Sequence, residues 1–245
     1  MNRRELTKGA CALMMTGSLA PFAGSPKRVL KQAPLVAKTV AGIRLVDSRI
    51  AIEATDLTRR SSPEFLFNHA MRTYLFGALA GKARGDRFDD ELLYLACVLH
   101  DIGMTESFMG PLPFPVQGAQ VATEFLEKRG VSDEQRAVIW DGIALHASVA
   151  GQFKRPEVSL VGVGAGYDVL GPNFAELTRQ AAEEIVRAFP RLRFKTEFVR
   201  TCAGVVRRYP NAASSGFMRD IRDRQVPEFH ARNACDRIAE SPFDE

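Results

Sequence analysis

The chain has 245 residues, 46% of them hydrophobic and 25% charged, with a formal net charge of +4. That length allows one or two domains, and the composition is that of an ordinary globular protein. The small charge comes from interspersed Lys, Arg, Asp and Glu, which excludes a basic face dedicated to nucleic acid.

The first 26 residues differ from the rest. Met1-Asn2-Arg3-Arg4-Glu5-Leu6-Thr7-Lys8 precedes a charge-free stretch from Gly9 to Pro26. A basic start, a mildly apolar middle and small residues are the layout of an export signal. Pro21 and several Gly, Ser and Thr residues make it too short and mild to span a bilayer, so the mature chain is expected to have no integral membrane segment. Arg3-Arg4-x-Leu6-x-Lys8 resembles a twin-arginine signal, which predicts a periplasmic or exported protein. The alternative is an N-terminal helix or tail on a cytoplasmic protein. Cleavage would remove Arg3, Arg4, Lys8 and Glu5, lowering the net charge to +2, together with Cys11. Cys97, Cys202 and Cys235 would remain, too few for a disulfide scaffold, although Cys202 and Cys235 could pair in an oxidising compartment.

Residues 27–39 read as a linker, and helical signals dominate from Ser62. Ser62-Pro63-Glu64 offers a cap, a first-turn proline and an acid matched to the helix dipole, so a helix is predicted to about Gly81. Asp89-Asp90-Glu91 opens a second, nearly continuous apolar helix through Leu99, closed by Gly103. A third is predicted from Ala119 to Arg129. A fourth starts at the capping box Ser132-Asp133-Glu134-Gln135 and runs to about His146, and a fifth runs from Val158 to Leu170. Further helices are expected at 174–188, 195–208 and 215–224. Strand-like alternation over a useful length is absent, so the prediction is one all-α domain over 40–245.

Four histidines occur, at 69, 100, 146 and 230, and the first three fall in segments that should be buried helices. One buried histidine is usually a satisfied core residue, whereas several together all need partners. His100-Asp101 ends the most apolar helix, where a carboxylate must be paired or coordinated. Asp168 is the only charge between Glu157 and Glu176, and the nearby glycines would let a helix or ligand approach closely. A capping or turn role near Gly171-Pro172 is the simpler alternative. His230 lies in a polar stretch and reads as surface.

The pattern H…HD…D formed by His69, His100-Asp101 and Asp168 resembles the HD-domain superfamily of metal-dependent hydrolases. Four segments carry the resemblance, which is nearest to the cyanamide hydratase-like branch. They are Phe67-Asn68-His69-Ala70-Met71-Arg72-Thr73-Tyr74, Leu99-His100-Asp101-Ile102-Gly103, Ala144-Leu145-His146-Ala147-Ser148 and Gly164-Ala165-Gly166-Tyr167-Asp168. The resemblance implies an all-helical HD fold over 40–245, with His69, His100, Asp101 and Asp168 holding a divalent ion such as Zn²⁺, Fe²⁺ or Mn²⁺. On that basis Asp101 orients a water or accepts its proton. His146 is a second-sphere base, a substrate contact, a ligand for a second metal, or a core histidine. Arg72, three residues after His69, fixes an anionic substrate group, supports Asp101, or is solvated surface. Asn68 would orient a ligand, and Thr105 and Glu106 would line the pocket. Pro115 and Gln117 stand where relatives of this branch tend to carry acids, and Ser107 to Pro113 is either an apolar lid or a packed connection.

Three functions compete. The first is a hydrolase or hydratase adding water to a carbon–nitrogen or similar electrophile of a small molecule. The second is an HD phosphohydrolase acting on a nucleotide or phosphate ester, for which only Arg72, Lys154 and Arg155 offer nearby cations. The third is a degenerate HD module that only binds. The sequence leaves a homo-oligomer open.

Overall fold

The structure, a computed structural model, describes residues 39–229 and 234–242. The export signal, nearly all of the linker, Cys11 and His230 lie outside them. The described residues open with a hairpin of two short strands, β1 (Thr39–Val40) and β2 (Ile43–Arg44), paired antiparallel. Ala41 and Gly42 both take positive φ at its turn, as a two-residue connection of this hand requires. Everything after it is helical.

Helix α1 (Arg49–Ser61) is capped by the Ser48 side chain on the Ala51 amide. No helix was expected there, before Ser62. α2 (Glu64–Arg84) follows Pro63 and stops at Gly85, whose left-handed φ of 77° closes it. It is buried from Phe65 through Ala78, so it is the axis of the domain. α3 (Asp90–Leu99) begins where Asp89 accepts from the Glu91 and Leu92 amides. A single turn at Ile102–Met104 leads toward α4 (Phe114–Glu127). α4 starts five residues earlier than the predicted Ala119, because a proline in the first turn, Pro115, lacks only an amide that has no helical partner there. α5 (Asp133–Leu145) has the predicted Ser132 cap on Gln135. A short turn at Val149–Phe153 precedes α6 (Pro156–Leu170). α7 (Arg179–Ala188), α8 (Phe194–Arg208), α9 (Gly216–Gln225) and the short α10 (Ala234–Ala239) complete the chain.

The architecture is all-α, as predicted. α6 crosses α2 at backbone contact. A Cβ on Gly164 would lie 2.0 Å from the Thr73 carbonyl oxygen, and one on Gly77 would lie 2.6 Å from that of Leu160. Glycine at these positions is what brings Asp168, on the last turn of α6, over His69 on α2. One apolar cluster gathers Leu75, Leu93, Leu99, Ile143 and Leu160. A second gathers Phe65, Met104, Phe114, Phe194, Phe198 and Val206.

Cys97 and Cys202 are buried, Cys235 is exposed, and all three are free thiols. The considered Cys202–Cys235 bond is therefore not formed, since one sulfur belongs to the core of α8 and the other to the outside of α10. Among the described residues no helix is long and apolar enough to cross a membrane.

Candidate metal centre

His100 and His146 occupy equivalent places, each at the C-terminal cap of its helix. A helix end leaves carbonyls without partners. Each imidazole supplies one, with Nδ1 of His100 donating to the Cys97 carbonyl at 2.7 Å and Nδ1 of His146 to the Ile143 carbonyl at 2.6 Å. A carbonyl can only accept, so Nδ1 carries the proton and Nε2 of each neutral ring presents a lone pair. Nδ1 of His69 faces Oδ2 of Asp168 at 2.6 Å, with the same consequence. Asp101, at φ −101° and ψ 8°, leaves helical geometry and swings its carboxylate back toward the rings.

Four donor groups thus converge. Nε2 of His69 lies 3.2 Å from Nε2 of His100, and these two atoms lie 3.4 and 3.2 Å from Oδ2 of Asp101. Nε2 of His146 lies 3.7 Å from Oδ1. Neither buried oxygen of Asp101 has a hydrogen-bond partner among the described residues, for the approach of His100 is close but not aligned as a hydrogen bond. Lone pairs facing lone pairs around an orphaned carboxylate are unfavourable unless a cation sits among them. Two donors each about 2.1 Å from one ion, at angles of about 90–110°, are separated by about 3.0–3.4 Å, which matches the observed spacing. His69, His100 and Asp101 could therefore bind one metal ion. Two imidazoles and a carboxylate suit a borderline divalent ion.

The protonation equilibria show the same demand for positive charge. Burial pulls the His100 imidazole down, but the adjacent Asp101 carboxylate outweighs it and the net shift is upward. Burial raises Asp101, yet the three imidazoles hold it well below the usual carboxylate range. Burial lowers His69, and burial with His100 nearby takes His146 down to about 4, so His146 is a neutral acceptor at pH 7.

Asp168, expected as a ligand, does not face the cluster. Its carboxylate lies behind His69 and is fully engaged there. Arg72 donates from Nε to Oδ1 and from Nη2 to Oδ2, both at 2.7 Å, and Arg191 reaches Oδ1 at 2.6 Å and the Asp168 carbonyl at 2.7 Å. The geometry makes Asp168 the group that fixes the ring and tautomer of His69. Burial raises its pKa, but the bonds from His69 and Arg72 win and hold it well below the usual range. Arg72 is fully buried and also donates to the carbonyls of Phe189 and Pro190 at 2.8 and 3.1 Å. It is neither a surface residue nor a substrate contact, and it supports Asp168 rather than Asp101. Asn68, expected to orient a ligand, instead ties down the Pro190 carbonyl at 2.9 Å. The segment after α7 is thereby strapped across the site. It includes two non-glycine residues, Leu192 and Arg193, at φ of 48° and 62°, an uncommon conformation retained where surrounding contacts enforce it.

Residues 66–155 match the family described as HD domain. The match supports the HD superfamily for this part of the chain. The match includes His69, His100, Asp101 and His146 and ends before Asp168. A search of curated proteins returns no match.

The cluster forms the floor of a cavity of about 520 Å³. Phe114, Val169, Phe198, Phe217 and Ile221 contribute to its walls, and among the described residues neither Lys nor Arg lines it. Phe198, Phe217 and Ile221 belong to no motif, because α8 and α9 bring them from far along the chain. Thr105 turns inward to the Ile102 carbonyl and Glu106 is exposed, so neither lines the cavity as expected. Lys154 pairs with Asp141, and Arg155 with Glu157, away from the cavity. Phe108 and Met109 pack on the two apolar clusters, which makes Ser107 to Pro113 a packed connection rather than a lid.

Proposed function

We propose that this HD domain is a divalent-cation-dependent hydrolase or hydratase that adds water to an uncharged electrophile of a small molecule. The observation that carries this is the unpartnered Asp101 carboxylate facing the lone pairs of three imidazoles at the floor of a cavity. His69, His100 and Asp101 would hold the ion. When bound, the ion supplies Lewis acidity, polarising an electrophile and making water acidic near neutral pH. His146, neutral and with a free Nε2 lone pair, accepts a hydrogen from the attacking water on the Oδ1 side of Asp101 and orients it. Asp168, Arg72 and Arg191 act through His69, keeping its Nε2 aimed at the centre. Apolar walls exclude bulk water and strengthen each of these interactions.

That no Lys or Arg among the described residues lines the cavity favours this reading over a phosphohydrolase, because a phosphate would find none of them fixed beside the metal. HD domains are generally metal-dependent hydrolases, and the cyanamide hydratase-like branch is the reading closest to the motifs. Export through the Arg3-Arg4 leader is part of the same proposal, since the twin-arginine route carries folded, metal-loaded proteins. The test is a panel of nitriles, cyanamide and phosphate esters offered to protein reconstituted with Zn²⁺, Mn²⁺ or Fe²⁺. Metal-dependent water addition to a carbon–nitrogen electrophile, abolished in His100→Ala and Asp101→Ala, is expected. Turnover confined to phosphate esters would overturn the proposal.

A further inference from the structure

The cavity above the centre is much larger than a minimal electrophile needs. Its size lies in the range of pockets that enclose whole drug-sized ligands. Besides His69, His100, Asp101 and His146, its polar lining residues are Ser148, Gln152, Ser159 and Asp220, of which Ser148, Gln152 and Asp220 are exposed to solvent. Phe114, Val169, Phe198, Phe217 and Ile221 supply apolar wall. Two lining residues, Val149 and Leu170, are 70% and 88% exposed, so the apolar surface continues out of the mouth. Contiguous exposed apolar surface joined to a cavity marks a binding path. Asp220 has no hydrogen-bond or ion-pair partner among the described residues, and no Lys or Arg lines the cavity to offset its charge. A negative group held there repels an anionic tail and tolerates a neutral or cationic one.

Resting on the hydrolase or hydratase reading, we infer that the substrate is an amphiphile. Its small polar electrophile lies at Asp101 and its unbranched or aromatic apolar tail runs along Phe198 and Phe217. The tail leaves past Val149 and Leu170, and Asp220 selects against a carboxylate or phosphate at its far end.

Hydroxamates test this without turnover, because the head chelates a divalent ion while the tail is varied. Calorimetric titration of the full, Zn²⁺-loaded protein would compare acetohydroxamate, octanoyl hydroxamate and the monohydroxamate of octanedioic acid. Burial of apolar carbon at about 0.8 kcal/mol per CH₂ predicts at least about 30-fold tighter binding of octanoyl than of acetyl, even if under half of the added chain is buried. The carboxylate-tailed probe is expected to lose at least tenfold relative to octanoyl. Asp220→Asn should narrow that gap by at least threefold, and Leu170→Glu should reduce the octanoyl advantage. Both positions are exposed, so folding is not at stake. Equal affinity for acetyl and octanoyl, or an undiminished gap in Asp220→Asn, would overturn the inference while leaving the metal site standing. If no hydroxamate binds in a metal-dependent way, the hydrolase or hydratase reading fails. Octan-1-ol would then decide the tail path separately: displacement of N-phenyl-1-naphthylamine from wild type but poorly from Leu170→Glu supports it, and no displacement overturns it.

Discussion

Asp101 and Asp168 are both buried carboxylates, one turned toward the cavity and the other behind His69, and they are treated in opposite ways. Asp168 receives His69, two nitrogens of Arg72 and one of Arg191. Asp101 receives no hydrogen bond among the described residues. An acid given every available donor is structural and positioning. An acid left without donors among lone pairs is reserved for something the chain does not itself supply. The difference separates scaffold from chemistry more sharply than burial does, since both groups are almost fully inaccessible.

The strongest way to break this contrast is at Asp168. Asp168→Asn would leave the Arg72 guanidinium buried without its counter-charge, so a loss of about 3–5 kcal/mol in urea unfolding is expected. A loss below about 1 kcal/mol would mean that the clamp is not structural. At His146 the effect should fall on rate rather than on binding. His146→Gln is expected to reduce kcat by about 10²–10⁴ once a substrate is in hand, while Zn²⁺ affinity measured by competition with a chelator stays within about tenfold. Arg191 sharpens the contrast further, because it acts on the centre only through Asp168 and His69. Arg191→Met should weaken metal binding by about 10–100-fold, with Arg191→Lys recovering part of it. Its effect on thermal stability should be small, because its side chain is 28% exposed.

Glu157 gives the smallest effect and serves as a control acid remote from the centre. Burial raises its pKa, but Arg155 and the Asp89 amide outweigh this and leave it lowered from 4.5. A depressed folded-state pKa contributes stability above the unfolded value, lost as pH falls through the folded one. Glu157→Gln should therefore flatten the acid limb of the melting-temperature profile below about pH 4.5, by under about 1 kcal/mol because Arg155 is half exposed. An unchanged acid limb would remove Glu157 from the set of satisfied acids.

Much of the site was legible in the sequence. His100-Asp101 stood out because an ionisable pair at the end of an almost uninterrupted apolar helix needs a reason, and Asp168 stood out as a lone charge between glycines. The role of Asp168 was not legible, because which nitrogen of His69 it meets depends on the α2–α6 crossing, set by Gly77 and Gly164. Arg191 and Asp220 were invisible for a related reason. Each is an ordinary charged residue in a polar stretch, made significant only by contacts far along the chain. Helix α1 was missed because its buried face is built from Ala51, Ala54, Thr55 and Thr58. Their spacing is helical, but small and hydroxylated residues give little apolar signal. His146 could have been read with more weight, since like His100 it sits at the end of a helix and satisfies a carbonyl three residues back.

The central claim is that Asp101 waits for a cation. Zn²⁺ or Mn²⁺ titration of wild type and Asp101→Asn, with melting temperature followed in parallel, tests it most directly. The account predicts that wild type binds about one equivalent and is stabilised by it. Asp101→Asn should bind at least about 100-fold more weakly. Equal metal affinity in the two proteins, or a wild type that neither binds nor is stabilised by the ion, would contradict it.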